Sequence, residues 1–133
     1  MKVAELMRTD VKTIGPEATV AEAVVALADA HISGLPVVDK HGRIRGVLTS
    51  TDILEAEAEA RGPADRERLF ENTTVAELMT PTPRMISLDT EIREAAQQML
   101  YLDVHRLFVE DDGRLVGVLS QSDLVRALAT TGV

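Results

Sequence analysis

The pattern of apolar and polar positions predicts a short strand and then a helix near the start of the chain. Residues 11–14 (VKTI) alternate apolar and polar side chains, which is typical of a half-buried strand. Apolar residues then recur at helical spacing from Val20 to Ala28. Residues 19–22 (TVAE) have the Ser/Thr-x-x-Glu form of a capping box, so we expect Thr19 to start this helix.

The next stretch predicts a hairpin. Residues 35–38 (LPVV) and 44–48 (IRGVL) are rich in β-branched side chains, which favour strands. They flank residues 39–42 (DKHG), where Gly42 suits a tight turn. Two antiparallel strands are therefore expected here.

A second helix is predicted to begin near Thr51, and the charged residues 55–61 (EAEAEAR) prolong it. Gly62-Pro63 ends it, because Gly is favoured just after a helix and Pro as the first residue of the next one. Residues 63–70 (PADRERLF) then predict a short charged helix, which we interpret as a solvated connector. The whole unit reads β-α-β-β-α.

This unit occurs twice. VAELM stands at residues 3–7 and again 72 residues later, at 75–79. The second hairpin is one residue shorter, so GVLTSTD at 46–52 recurs 71 residues later as GVLSQSD at 117–123. We predict repeats at residues 1–61 and 75–133, joined at residues 62–74 by a linker that contains the short helix.

The second copy departs from the first at the start of its first helix. Glu91 stands where the first copy has Thr19, so the capping box is lost. Asp89 and Thr90 are the side chains expected to cap the helix instead.

The order and spacing of these motifs resemble a tandem pair of cystathionine β-synthase (CBS) domains, also called a Bateman module, over residues 3–128. The resemblance rests on the VAELM openings, on residues 33–39 (SGLPVVD) against 105–109 (HRLFV), on the Asp…Gly hairpins and on the Gly-h-h-Ser/Thr-x-Ser/Thr-Asp endings, where h is apolar. It implies an α/β fold of the α+β type. In that fold two β-α-β-β-α repeats pack sheet to sheet about a pseudo-two-fold axis and leave two clefts. It also implies adenosine-containing ligands and dimers of pairs.

Each of the two endings carries hydroxyls and an aspartate at the start of a helix. The free N–H groups and the positive dipole end of such a helix suit a phosphate, and a carboxylate can accept hydrogen bonds from both hydroxyls of a ribose. The same side chains are also good helix caps, and this interpretation stays open beside ligand binding. The residues concerned are Thr49, Thr51 and Asp52 in the first copy and Ser120, Ser122 and Asp123 in the second.

The resemblance implies further contacts with the ligand. Val11, Ile14 and Leu35 would line an adenine slot. His105 and Arg106 of the second copy would reach phosphates, or else lie on the surface with the arginine stem packed on the sheet edge. Lys12 and Arg84, at equivalent positions, would add local positive charge or be exposed strand residues. The other candidate ligand-binding residues are Ser33, Gly34 and Pro36; Phe108 stands in place of Pro36 in the second copy, so the two clefts should differ in shape.

Composition narrows the function classes. The 133 residues carry a formal net charge of −8 and only 2% aromatic residues, which argues against nucleic acid as a partner. The absence of cysteine excludes disulfides, thiolate zinc sites and a cysteine nucleophile. Three scattered histidines match no familiar metal-site spacing. Charges interrupt the N-terminus before a signal peptide could form, and no apolar run is long enough for a membrane span, so we expect a cytoplasmic protein.

The expected function is that of a stand-alone regulatory module, a sensor of energy state or metabolites, with no required cofactor. It would bind AMP, ADP, ATP, S-adenosylmethionine or NADH in the clefts between the repeats, form a homodimer and act on a regulated protein. The alternative is a ligand-independent dimerisation or protein-interaction module. No nucleophile–base pair, phosphate-binding glycine loop or pair of catalytic carboxylates is recognised, so an enzyme is not expected.

Overall fold

The computed structural model describes residues 1–81 and 83–131. Its helices are α1 (Val3–Leu6), α2 (Val20–Ala30), α3 (Ser50–Glu59), α4 (Pro63–Asn72), α5 (Val75–Leu78), α6 (Ile92–Leu102) and α7 (Gln121–Thr131). Its strands are β1 (Gly34–Val38), β2 (Ile44–Thr49), β3 (Thr80–Pro81), β4 (Met85–Ser87), β5 (Arg106–Asp111) and β6 (Arg114–Ser120).

The chain folds into two compact units. The first-repeat unit is residues 12–83, and the second-repeat unit combines residues 1–11 with residues 84–133. Each contains one three-stranded sheet, in the order β1-β2-β3 or β4-β5-β6. The mixed helix-and-strand fold with a doubled unit, predicted from the sequence, is confirmed.

The first-repeat unit is built on the predicted hairpin. Strands β1 and β2 pair antiparallel with Leu35 opposite Leu48, and Gly42 takes the positive φ of 81° that the turn requires. The predicted strand at residues 11–14 is reduced to a single parallel bridge between Ile14 and Val37.

Proline explains why this strand is so short. In the second-repeat unit β4 runs parallel to β5, and just before it the N–H of Phe108 donates to the carbonyl of Arg84 at 3.4 Å. Pro36 stands at the position equivalent to Phe108 and has no N–H to donate, so the ladder cannot extend from Ile14 back to Lys12.

The helices of the first-repeat unit cover one hydrophobic core. As predicted, Thr19 caps α2, its hydroxyl oxygen accepting the N–H of Glu22 at 3.2 Å. Helix α4 is present, but interpreting it as a solvated connector was wrong, because Leu69 is only 9% exposed and belongs to the core. The buried core residues are Val20, Ala23, Leu27, Leu35, Val37, Leu48, Ile53, Leu69 and Val75.

The second-repeat unit starts its long helix differently. Asp89 and Thr90 were wrong as caps, because the N-cap of α6 is Glu91 and no side chain caps it. The backbone carbonyl of Met1 instead accepts the N–H of Ile92 at 3.1 Å. The Glu91 carboxylate bonds the N-terminal ammonium at 3.3 Å. The core residues here are Val3, Ile86, Ala95, Met99, Leu107, Val109 and Leu119.

Each unit takes its VAELM helix from the other repeat. The N–H of Val3 in α1 donates to the carbonyl of Thr90, and the N–H of Val75 in α5 donates to that of Ala18, both at 2.8 Å. The compact units therefore differ from repeats cut at residues 61 and 75, since the two segments that contain VAELM are exchanged. Within the described residues, every helix is too short or too polar to cross a bilayer.

Candidate functional site

The first corner lies where strand β2 passes into helix α3 and consists of Thr49, Asp52 and Thr80. The N–H of Asp52 donates to the Thr49 hydroxyl oxygen at 3.1 Å, and the N–H of Thr49 donates to Asp52 Oδ2 at 2.9 Å. The Thr80 hydroxyl donates to Asp52 Oδ1 at 3.1 Å. Asp52 is half-buried, and its donors among the described residues are neutral groups.

The second corner lies where strand β6 passes into helix α7 and consists of Ser120, Asp123, Arg8 and Arg126. Ser120 and Asp123 form the same reciprocal box, at 3.0 and 3.1 Å. Two guanidinium groups then share Asp123 Oδ1, with Arg8 Nε at 3.2 Å and Arg126 Nη1 at 3.0 Å. The Asp123 side chain is only 1% exposed, whereas those of Arg8 and Arg126 are 59% and 58% exposed.

The charge state of Asp123 follows from these contacts. Burial by itself raises the pKa of a carboxyl, but the Ser120 N–H and hydroxyl and the two arginines outweigh it, so that the pKa of Asp123 is lowered. The group is therefore ionised at neutral pH, and its charge is compensated by two cations.

Two positions of the repeat make the corners different. Arg8 and Thr80 are equivalent, each standing directly after VAELM. Arg126 is equivalent to Glu55, 71 residues earlier. Sequence analysis missed Thr80, Arg8 and Arg126. The unlike residues after two identical VAELM motifs could have found Arg8 and Thr80, and the change from Glu55 to Arg126 between the aligned repeats could have found the third.

The structure places several predicted site residues in the first-repeat unit, and three of them (Ser33, Gly34 and Thr51) adjoin the first corner. The Ser33 carbonyl accepts the N–H of Ser50 at 2.8 Å, and Gly34 lies opposite Thr49 in the ladder. The N–H of Ile14 donates to the Pro36 carbonyl at 3.1 Å. Thr51 is exposed in the first turn of α3, and Lys12 is exposed at the start of this unit.

Burial and chain grouping separate other predicted residues. Leu35 and Pro36 are fully buried, so their side chains offer no surface to a ligand in this structure. Val11 belongs to the second-repeat unit, whereas Ile14 and Leu35 belong to the first-repeat unit. The adenine slot that these residues were predicted to line stays a prediction.

The remaining candidates belong to the second-repeat unit, and all of them except Arg84 adjoin the second corner. The His105 carbonyl accepts the N–H of Gln121 at 2.8 Å, and Arg106 lies opposite Ser120 in the ladder. The Arg84 carbonyl accepts the N–H of Phe108 at 3.4 Å. The side chains of His105, Arg106, Arg84 and Ser122 are all exposed. Over the described residues, no group of three or more His, Cys, Asp or Glu side chains could hold a metal ion.

Comparison with known proteins agrees with this doubled architecture. The sequence profile of the CBS domain matches the chain twice, at residues 3–59 and 75–130. The chain belongs to the CBS domain family. Each corner draws on both matched segments, because its strand-to-helix turn comes from one segment and Thr80 or Arg8 comes from the other.

Relatives of this CBS pair include the chloroplastic CBS domain-containing protein CBSX1 of Arabidopsis thaliana. It is 27% identical over 94% of this chain, and the chain spans 63% of that protein's length. The crystal structure of CBSX2 in complex with AMP is 29% identical, covers 99% of this chain and 98% of that one, and superposes with a TM-score of 0.82. The CBS pair of protein MJ0100 in complex with 5′-methylthioadenosine and S-adenosyl-L-methionine is 26% identical, covers 98% of each chain and has a TM-score of 0.77.

Proposed function

We propose that this CBS pair is a sensor that binds an adenosyl ligand at a strand-to-helix corner and acts through binding rather than catalysis. The candidate ligands are AMP, ADP, ATP, S-adenosylmethionine and NADH. Two similar CBS structures support the ligand class, since one holds AMP and the other holds 5′-methylthioadenosine and S-adenosyl-L-methionine.

The observation that carries the proposal is the Asp52 carboxylate of the first corner. Each carboxylate oxygen has two lone pairs, and the neutral donors described above leave acceptor positions for the two hydroxyls of a ribose. Charge-assisted hydrogen bonds of this kind are roughly twice as strong as neutral ones. Asp52 is therefore the side chain that we expect to select a ribose.

The start of helix α3 supports the phosphate end of the ligand. The helix is 10 residues long, and its first turn presents N–H groups and a positive dipole end. The hydroxyl of Thr51 is exposed beside them.

Calorimetric titration with the five candidate ligands tests the proposal. We expect at least one to bind with a Kd in the micromolar range, which corresponds to about −8 kcal/mol. Asp52→Asn keeps a side-chain oxygen for the cap but loses the charge, so it should weaken binding at least tenfold. The matched control is Asp29→Asn, which also removes one negative charge but at an exposed position on α2. This variant should bind the ligand as the wild type does.

A ligand-independent assembly module is the second candidate. The observation that favours it is that both aspartates already cap helices, through Thr49 and Ser120. A ligand at 100 times its Kd stabilises a protein by about 2.7 kcal/mol, so a thermal melt with each ligand separates the two functions. If no ligand changes the melting temperature and none gives a heat of binding, the assembly module is the function that remains. Steady conversion of one of the ligands into a product would indicate an enzyme.

We also propose that the chain forms a homodimer through its exposed apolar helix faces. Leu54 on α3 is 66% exposed, and Leu100 on α6 and Val125 on α7 are 76% and 64% exposed. Helices α6 and α7 border an apolar groove of about 420 Å³. Each repeat therefore carries an exposed apolar helix face, and the same faces on a second copy of the chain could pack against them. A dimer is also what the family resemblance leads us to expect.

A further inference from the structure

The two corners hold homologous aspartates with different partners. Asp52 is half-buried and receives hydrogen bonds from a backbone N–H and from the Thr80 hydroxyl. Asp123 is 1% exposed, and it receives a backbone N–H on one oxygen and two guanidinium groups on the other. The contrast arises at two positions of the repeat. The first corner has Thr80 where the second has Arg8, and helix α3 has Glu55 where helix α7 has Arg126.

These contacts decide which carboxylate can receive a ribose. A diol needs acceptor lone pairs that it can reach. At the second corner the carboxylate is 1% exposed, one of its oxygens accepts two guanidinium groups, and the other accepts the Ser120 N–H. A ligand entering there would have to displace Arg8 or Arg126 from a buried carboxylate and leave that charge poorly compensated. At the first corner only the neutral hydroxyl of Thr80 has to give way.

We propose that Arg8 and Arg126 close the second corner, so that each chain binds one adenosyl ligand, at the Asp52 corner. This inference rests on the proposed function and adds the residue that determines which corner is used. That residue is the one directly after VAELM: threonine leaves the carboxylate open to a ligand, whereas arginine occupies it.

Exchanging these residues between the repeats tests the inference by calorimetric stoichiometry, with AMP and S-adenosylmethionine as parallel titrants. The wild type should bind one equivalent per chain. Arg8→Thr/Arg126→Glu gives the second corner the residues of the first repeat and should raise the stoichiometry to two. Thr80→Arg should close the first corner and weaken binding at least tenfold.

Two further variants control for charge and for folding. Asn72→Arg adds the same charge as Thr80→Arg at an exposed position of the same unit and should bind one equivalent. If the double variant melts below the assay temperature, Thr80→Arg still tests the inference, because it leaves the second corner unchanged. Unchanged binding by Thr80→Arg would overturn the inference.

The outcomes also separate this inference from the proposed function. Two equivalents on the wild type, each weakened by its own Asp52→Asn or Asp123→Asn change, would overturn the closed second corner while upholding nucleotide binding. No heat with either titrant in the wild type and in every variant would overturn both.

Discussion

Asp52 and Asp123 combine a structural task with a candidate chemical one. Each occupies the third position of its helix and exchanges two hydrogen bonds with the capping residue, Thr49 or Ser120. The cap and the ligand contact that sequence analysis set against each other are thus compatible for Asp52. For Asp123 the structure adds two cations, which lower its pKa further beside the larger effect of the Ser120 cap.

The contacts of Asp123 at the second corner should make the free energy of unfolding depend on pH in the acidic range. Because the folded pKa is lowered below the ordinary value of about 3.9, the stabilisation is complete above that pH and is lost as the pH falls through the folded pKa. Asp123→Asn should cost about 2 kcal/mol in the free energy of unfolding at pH 7, since hydrogen bonds to a charged group are lost. It should also flatten the decline below pH ~4.

Urea denaturation between neutral and strongly acidic pH measures both effects. Asp29→Asn loses the same charge from an exposed helix position and is the matched control. If the free energy of unfolding depended on pH in the same way for the wild type and Asp123→Asn, the role assigned to the second corner would be contradicted.

The segments that follow the two VAELM helices approach strands β2 and β6 closely. At Gly46 in β2, a Cβ atom would lie 2.7 Å from the sulfur of Met79 and 2.7 Å from the carbonyl oxygen of Thr80. At Gly117 in β6, it would lie 2.7 Å from the sulfur of Met7 and 2.8 Å from the carbonyl oxygen of Arg8. The segment after each VAELM helix therefore lies against its strand only because that strand has glycine there.

Alanine at either glycine should destabilise the protein. We expect Gly46→Ala and Gly117→Ala each to lower the free energy of unfolding by about 1–3 kcal/mol, because a backbone carbonyl cannot move aside as a flexible side chain can. Gly15→Ala is the control, since its nearest atom would be 4.0 Å away, and it should change stability by less than about 0.5 kcal/mol. Equal chemical-denaturation midpoints for all three variants would contradict the close approach.

Exposed apolar side chains on the helices are the basis of the proposed dimer. Among the described residues, Tyr101 is 90% exposed and Leu100 is 76% exposed, both on α6. Large exposed apolar patches are typical of interaction sites. The acidic net charge of −8 keeps the remaining surface well hydrated.

Light scattering at micromolar concentration tests the proposed dimer. The wild type should have twice the mass of the chain, and Leu100→Glu should shift it to the monomer because it places a charge in an apolar contact. Lys40→Glu, at the exposed turn between β1 and β2, also introduces a glutamate and should stay dimeric. A monomeric wild type would remove the dimer from the proposed function.

Local chemistry explains what sequence analysis predicted correctly. The turn at Gly42, the cap at Thr19 and the start of α4 at Pro63 each depend on residues within four positions of one another. The prediction that Gly62 ends the preceding helix was wrong, because α3 ends at Glu59 and Gly62 is the N-cap of α4. The two copies confirm each other, because a motif that recurs with its neighbours in order is seldom accidental. Pro36 shows where the pattern of apolar and polar positions fails, since its missing N–H shortens the neighbouring strand that the alternation predicted.

The sequence by itself therefore determined the doubled unit, its hairpins and helix starts, and the aspartates at its two corners. Only the tertiary structure decided that the VAELM segments are exchanged between the units. It also decided that Thr80 reaches Asp52 from 28 positions away and Arg8 reaches Asp123 from 115. Hydrogen bonds between such distant residues produce no local pattern in the sequence that would reveal them. Their geometry forms only when the core of each unit has packed.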